Sequence, residues 1–175
     1  VEFHWVTSWL ITIVWITGFA VAFNFIDGLD GLSSGLALLA SLVLAAFLLQ
    51  GGHPAAAIPA VVLAGALVGF LYFNWHPART FMGDGGSLTI GYLLGALMIM
   101  NNPSVGTIRS MFIPSLALSV ALVDTALTLF RRRYQQRRSL FSAERGHIHH
   151  RLLDRGFTHL QAVKLIHGVS IAAVV

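Results

Sequence analysis

The chain has 175 residues, of which 56% are hydrophobic and only 10% charged, with a mean hydropathy of +0.76 and a formal net charge of +4. An ordinary soluble domain carries about 25% charged residues, so this composition excludes one and points to an integral membrane protein. There is no cysteine, which excludes disulfide frameworks and thiolate metal sites and leaves the redox compartment unread. No signal peptide is recognisable at Val1, and the last apolar run continues to Val175, so both ends read as cuts in a longer protein.

A membrane-crossing helix needs about 20 mostly apolar residues. Residues 6–23 form the first such span and lead into "FNFIDGLDGLSSG" at 23–35. Each Asp in "NFIDGLDG" is followed by glycine, which permits a positive φ and a close approach of backbone to ligand. The segment is expected to turn sharply and to present Asn24, Asp27 and Asp30 together. Paired carboxylates there suit a divalent cation, or donors on a nucleotide base or sugar. The acid spacing does not follow the EF-hand rule.

Residues 32–50 and 55–73 are the second and third spans, joined by "QGGHP". The third leads into "NWHPARTFMGDGGSLTIG" at 74–91. Pro77 favours a non-helical connection, and Ser87 is the expected N-cap of a short fourth span over 87–100. A glycine-rich turn entering a helix offers free N–H groups and the positive end of the dipole to a phosphate. Asp84 beside those amides is a hard oxygen ligand of the kind Mg²⁺ takes together with phosphate oxygens. Phe81 can stack on a base or pack in lipid. No Lys and Ser/Thr complete a Walker A motif.

The fifth span is expected over 111–130, with Asp124 inside it. An intramembrane acid is functional by default, but pairing with an arginine or with Thr128 is the favoured reading here. A segment rich in arginine follows at 131–156, with eight Arg, and a sixth, truncated span begins near Gln161. Residues 143–153 are expected to form a helix that gathers His147, His150, Arg151 and Asp154 on one face. That face suits a pyrophosphate; the alternatives are anionic lipid or, less favoured without cysteine, zinc. Gly156 ends this helix, and Thr158 with Gln161 forms a capping box for the next. His4, His53 and His167 receive no role, and His76 and His159 are weak candidates.

The connections at 50–54 and 101–107 carry no Lys or Arg. The positive-inside rule therefore places 131–156 in the cytoplasm, and with it the loops at 24–31 and 74–86. Five of the seven acids, Asp27, Asp30, Asp84, Glu144 and Asp154, fall in these three connections. Acids that only neutralised basic loops would not need flanking glycines. The fold expected is an all-α polytopic transmembrane helix bundle, one domain with five full spans and a truncated sixth, and with its site in loops at the cytoplasmic face.

The motifs "NFIDGLDGL", "FMGDGGS" and "RGHIHHRLLDRGF" resemble, in order, those of the polyprenyl-phosphate N-acetylhexosamine-1-phosphate transferases, glycosyltransferase family 4. The likeness is greatest to the undecaprenyl-phosphate N-acetylglucosamine-1-phosphate transferase branch, because Ile148 interrupts the three consecutive histidines usual in the muramoyl-pentapeptide branch. The resemblance implies an enzyme of the bacterial inner membrane that moves a sugar-1-phosphate from a UDP-N-acetylhexosamine to undecaprenyl phosphate and releases UMP. It implies Mg²⁺, or Mn²⁺, as cofactor, with Asp84 as metal ligand. It places Asp27, Asp30, Asp84, His149 and His150 in catalysis, and Asn24, Asn74, Phe81, His147 and Arg151 at the substrate, with Phe81 stacked on uracil. It further implies an upstream paired-Asp motif for the acceptor, no nucleic-acid partner and a homodimer. A CDP-alcohol phosphotransferase is disfavoured, because "DGLDGLSSG" lacks that family's spaced acids. A transporter or channel would spread its acids through the spans, where only Asp124 lies.

Overall fold

The computed structural model describes residues 5–100, 107–135 and 147–175. They form eight α-helices: α1 Trp5–Ile26, α2 Leu32–Gln50, α3 Pro54–Asn74, α4 Gly83–Met100, α5 Thr107–Ala117, α6 Ser119–Phe130, α7 Ile148–Asp154 and α8 His159–Ala172. A π-helical turn, Arg131–Gln135, extends α6. Among the described residues there is no strand. At 1.5 Å per residue the 22 residues of α1 reach about 33 Å, enough to cross a hydrocarbon core of about 30 Å. Three helices, α1, α2 and α3, are long and apolar enough to span a membrane.

The centre of the bundle is α2. Over half of its apolar window is buried (56%), against 22% for α1 and for α3. It packs on α3, α4, α5 and α8. Its buried face alternates leucines with Ser33, Ala37, Ala40, Ser41 and Ala45, and α3 answers with Ala57, Ala60 and Ala64. Small residues let helix backbones approach closely where lipid offers little hydrophobic drive to association.

The same rule fixes α1 against α4. A Cβ on Gly91 would lie 2.6 Å from the carbonyl oxygen of Phe19, and one on Gly95 would lie 3.3 Å from Cβ of Phe19. Trp15 Nε1 donates to the Gly95 carbonyl at 3.2 Å, which sets the register of the pair. That register brings the end of α1, where Asn24 lies, to the start of α4, where Asp84 lies.

Two expectations are corrected. The fourth span begins at Gly83, not at Ser87: Gly83 takes φ 64° and the "GDGGS" segment winds into the first turn of α4, so Ser87 is a buried helical residue and not a cap. The single fifth span is two helices that break at Leu118. Pro114 brings no N–H to the ladder, Ser115 Oγ bonds back to the Met111 carbonyl, and Leu118 N–H turns to the Ser115 carbonyl at 3.1 Å.

Overpacking at a close helix contact costs roughly 1–3 kcal/mol. Gly91→Ala is therefore expected to lower the thermal midpoint in detergent by several degrees. Gly69→Ala, whose Cβ would meet nothing within 4 Å, is expected to leave the midpoint in place. Equal midpoints for the two variants would contradict the α1–α4 contact.

Candidate functional site

The first loop leaves α1 at Ile26 and enters α2 through Gly31, which sits at φ 75° in the left-handed region. It turns the chain within five residues and aims Asp27 and Asp30 to one side. Ser33 Oγ, in the first turn of α2, donates to Asp27 Oδ1 at 2.5 Å. Burial pushes the Asp27 carboxyl above the usual carboxylate range; the Ser33 bond opposes this, and the charge of Asp84 adds to it.

Asp30 is held from two directions. His76 Nδ1 donates to its Oδ2 at 2.8 Å, and Ala78 N–H donates to the same oxygen at 3.1 Å. Its backbone N–H donates to His159 Nε2 at 2.8 Å. Desolvation opposes ionisation of this carboxyl, but the bonds from His76 and Ala78 outweigh it and hold it below the usual range.

The second loop, 75–82, joins the first through Asn74. Its Oδ1 accepts from Gly31 N–H at 3.1 Å and from Ser34 Oγ at 2.7 Å, and its Nδ2 donates to the Thr80 carbonyl at 2.9 Å. Asn74 is buried and binds the two loops to one another. Asn24 does the same for Asp84: its Nδ2 donates to Asp84 Oδ1 at 3.1 Å and to Ser87 Oγ at 3.2 Å. Asp84 lies in the first turn of α4, where the helix dipole favours a negative charge.

These bonds enclose a cleft of about 240 Å³ whose walls include Asp27, Asp30, Asn74, Phe81 and Asp84. Phe81 is 73% exposed at its edge, a free aromatic face beside three carboxylates. The expected grouping of Asp27, Asp30, Asp84, Asn74 and Phe81 is thus found, with Asn24 directly behind Asp84.

The histidine segment is placed differently from expectation. The described helix is Ile148–Asp154, and 136–146, where the expected helix began, lies outside the described residues. His147 is the N-cap of α7, with extended backbone, so it does not share a helical face with His150, Arg151 and Asp154. Its Nδ1 donates to Asp124 Oδ2 at 2.9 Å, and Asp124 Oδ1 accepts from Ile148 N–H at 2.9 Å. Asp124 is therefore paired, as favoured, but among the described residues its partners are His147 and the start of α7. Arg151 and Asp154 are exposed.

His149 is the residue of this segment that reaches the first loop. It is buried, its ring lies 4.3 Å from that of His150, and its Nε2 would be 2.2 Å from a Cβ on Gly28. Gly28 is needed for that approach. Burial, with the neighbouring histidines, lowers the His149 pKa to about 4, so the ring is neutral at neutral pH. Among the described residues its Nδ1 has no hydrogen-bond partner.

Sequence reasoning missed Ser33 and gave His76 and His159 little weight. Ser33 follows Asp27 by six residues in "DGLDGLSS", which nothing in a linear pattern marks as a partner. Ligand atoms of Asp30, His76 and His159 all lie within 4.8 Å of one another. The His76 and His159 rings, however, stack at 4.4 Å with an interplanar angle of 23°. In-plane lone pairs on nearly parallel rings do not converge on one ion, so this group reads as a hydrogen-bonded latch. Asp27 and Asp84 are the better cation donors: both are hard oxygen ligands, and their mutual repulsion in the cleft is what a divalent cation would relieve.

The sequence model of glycosyl transferase family 4 matches residues 1–102. A Bacillus subtilis protein described as a probable undecaprenyl-phosphate N-acetylglucosaminyl 1-phosphate transferase is 35% identical over 99% of the chain and 49% of its own length. A Mycolicibacterium smegmatis decaprenyl-phosphate N-acetylglucosaminephosphotransferase is 40% identical over 93% of the chain and 44% of its own. A Moorella thermoacetica phospho-N-acetylmuramoyl-pentapeptide-transferase is 41% identical over 55% of the chain and 31% of its own. The chain spans about half the length of the first two relatives.

His149 ties stability to pH. Its folded pKa of about 4 lies below the ordinary 6.5, so between those values the unfolded chain takes a proton that the folded chain refuses. The resulting stability is complete above about pH 6.5 and is lost as pH falls towards 4. The thermal midpoint in detergent is expected to fall across that window more steeply for wild type than for His149→Gln. Parallel slopes would contradict a neutral, buried His149.

Proposed function

The chain belongs to glycosyl transferase family 4, and from that premise we propose that it carries the nucleotide-sugar half of a polyprenyl-phosphate sugar-1-phosphate transferase in a bacterial plasma membrane. The donor is a UDP-N-acetylhexosamine, N-acetylglucosamine being favoured by the activities for which the relatives are named. The acceptor is undecaprenyl phosphate, and the cleft faces the cytoplasm. The observation that carries the reading is the single cleft that joins Asp27, Asp30, Asp84 and the exposed ring of Phe81.

The reaction exchanges one P–O bond for another. An oxygen of the acceptor phosphate bonds to the phosphorus that bears the sugar, the bond from that phosphorus to the bridging oxygen of UDP breaks, and UMP leaves with the electron pair. Both partners are anions, so the principal task is to hold them together and to accommodate charge on the leaving phosphate. Asp84 and Asp27 would hold a Mg²⁺, which would supply charge neutralisation of this kind.

The residues of this chain do the remaining work by position. Asn24 orients Asp84 through the 3.1 Å bond to Oδ1. Phe81 offers its face to the uracil ring, while Asp30 accepts hydrogen bonds from the base or ribose. His149, neutral and pressed against Gly28, closes the side of the first loop, and His150 and Arg151 extend from the same helix as donors to the pyrophosphate or sugar. Apolar helices around the cleft place this water-soluble donor beside the membrane, where a polyprenyl acceptor resides.

Full-length protein in detergent or nanodiscs, supplied with UDP-N-acetylglucosamine, undecaprenyl phosphate and Mg²⁺, is expected to release UMP and form lipid-linked sugar. Loss of one well-placed electrostatic contact costs roughly 10²–10³ in rate. Asp84→Asn is expected to lower turnover by at least about 100-fold with the protein still folded. Undiminished turnover in Asp84→Asn, or no turnover with any UDP-hexosamine, would overturn the reading.

A further inference from the structure

The group outside the expected motifs that bears most directly on the cleft lies on α8. His159, at its first position, accepts the Asp30 N–H through Nε2 at 2.8 Å. His167, eight residues on and about two turns along the helix, donates through Nε2 to the Leu32 carbonyl at 3.1 Å. A single helix thus grips the second half of the Asp27–Asp30 loop at two backbone points, on either side of Gly31. The start of α8 is itself fixed: Thr158 Oγ1 accepts from Gln161 N–H at 3.3 Å, and Gln161 Oε1 accepts from Thr158 N–H at 2.9 Å. That capping box sets where the His159 ring stands.

The ring also stacks on His76 at 4.4 Å, and His76 Nδ1 holds Asp30 Oδ2. Backbone and carboxylate of Asp30 are therefore fixed by two imidazoles that fix one another. Among the described residues His76 and the Ala78 N–H occupy Oδ2, which leaves Oδ1 for a ligand in the cleft.

We propose that His159 is a positioning residue for the nucleotide donor: by accepting the Asp30 N–H while stacked on His76, it sets the direction in which the Asp30 carboxylate meets the base or ribose. This rests on the reading of the cleft as a UDP-sugar site. The role needs a neutral ring with hydrogen on Nδ1, since Nε2 is the acceptor. It requires no contact between His159 and substrate, so the consequence falls on donor affinity and not on the chemical step.

The test uses the full-length protein and measures UMP binding together with KM for UDP-N-acetylglucosamine and kcat. His159→Phe keeps a stacking ring and removes the acceptor; His159→Gln places an amide oxygen near the position of Nε2. A neutral hydrogen bond contributes about 1 kcal/mol, or roughly fivefold in affinity. His159→Phe is expected to weaken UMP and raise KM about five- to tenfold with kcat within about twofold, and His159→Gln to restore both. Asp30→Ala serves as the reference. If Asp30→Ala weakens UMP and His159→Phe does not, the positioning role is overturned and the donor reading stands; if neither weakens it, both fall. Nitrogen-15 spectra of the wild-type histidines give a check independent of any variant's folding: a neutral His159 ring with its proton on Nε2 would overturn the proposal.

Discussion

A polar side chain at the end of an apolar helix bundle has little water to turn to, and burying it without a partner costs roughly 1–3 kcal/mol or more. Acids are scarce in this chain; Asp27 meets that constraint locally through Ser33, and three others bond to a segment remote in sequence. Asp30 is tied to His76 and His159, Asp84 to Asn24, and Asp124 to His147. Each bond also joins two segments far apart in the chain. The cleft is the product: the first and second loops meet there through these bonds, with α7 and α8 packed behind the first loop through His149 and His159.

Glycine makes that convergence possible where helices and loops meet closest. Gly91 admits the carbonyl of Phe19 and so brings Asn24 beside Asp84; Gly28 admits the ring of His149 and so brings the histidine segment to the first loop. Packing in the span and chemistry at its end are connected by the same small residues. Repulsion between Asp27 and Asp84 remains inside the cleft, and a cation bound there would relieve it.

Much of this was legible in the sequence. The second span was read as 32–50 and is Leu32–Gln50; the capping box at Thr158 and Gln161 forms as its spacing indicates; and Asp27, Asp30, Asp84, Asn74 and Phe81 share one cleft. What escaped depends on tertiary contacts. Helical periodicity assigned His147 to a face of α7, but its extended backbone caps that helix and turns its ring to Asp124, 23 positions earlier in the chain. The break at Leu118 follows from a proline and a serine back-bond that an apolar run conceals. His76 and His159 carry no motif of their own, and only the fold shows that they hold Asp30.

In the proposed reading, two loops far apart in the chain, backed by histidines of α7 and α8, build one nucleotide-sugar site. Cryo-electron microscopy of the full-length protein with UDP-N-acetylglucosamine and Mg²⁺ tests it most directly. The uracil ring is expected against Phe81, the diphosphate between Asp27 and Asp84, and Asp30 on the nucleoside side. Nucleotide density bound elsewhere, with this cleft closed or filled by side chains, would contradict it.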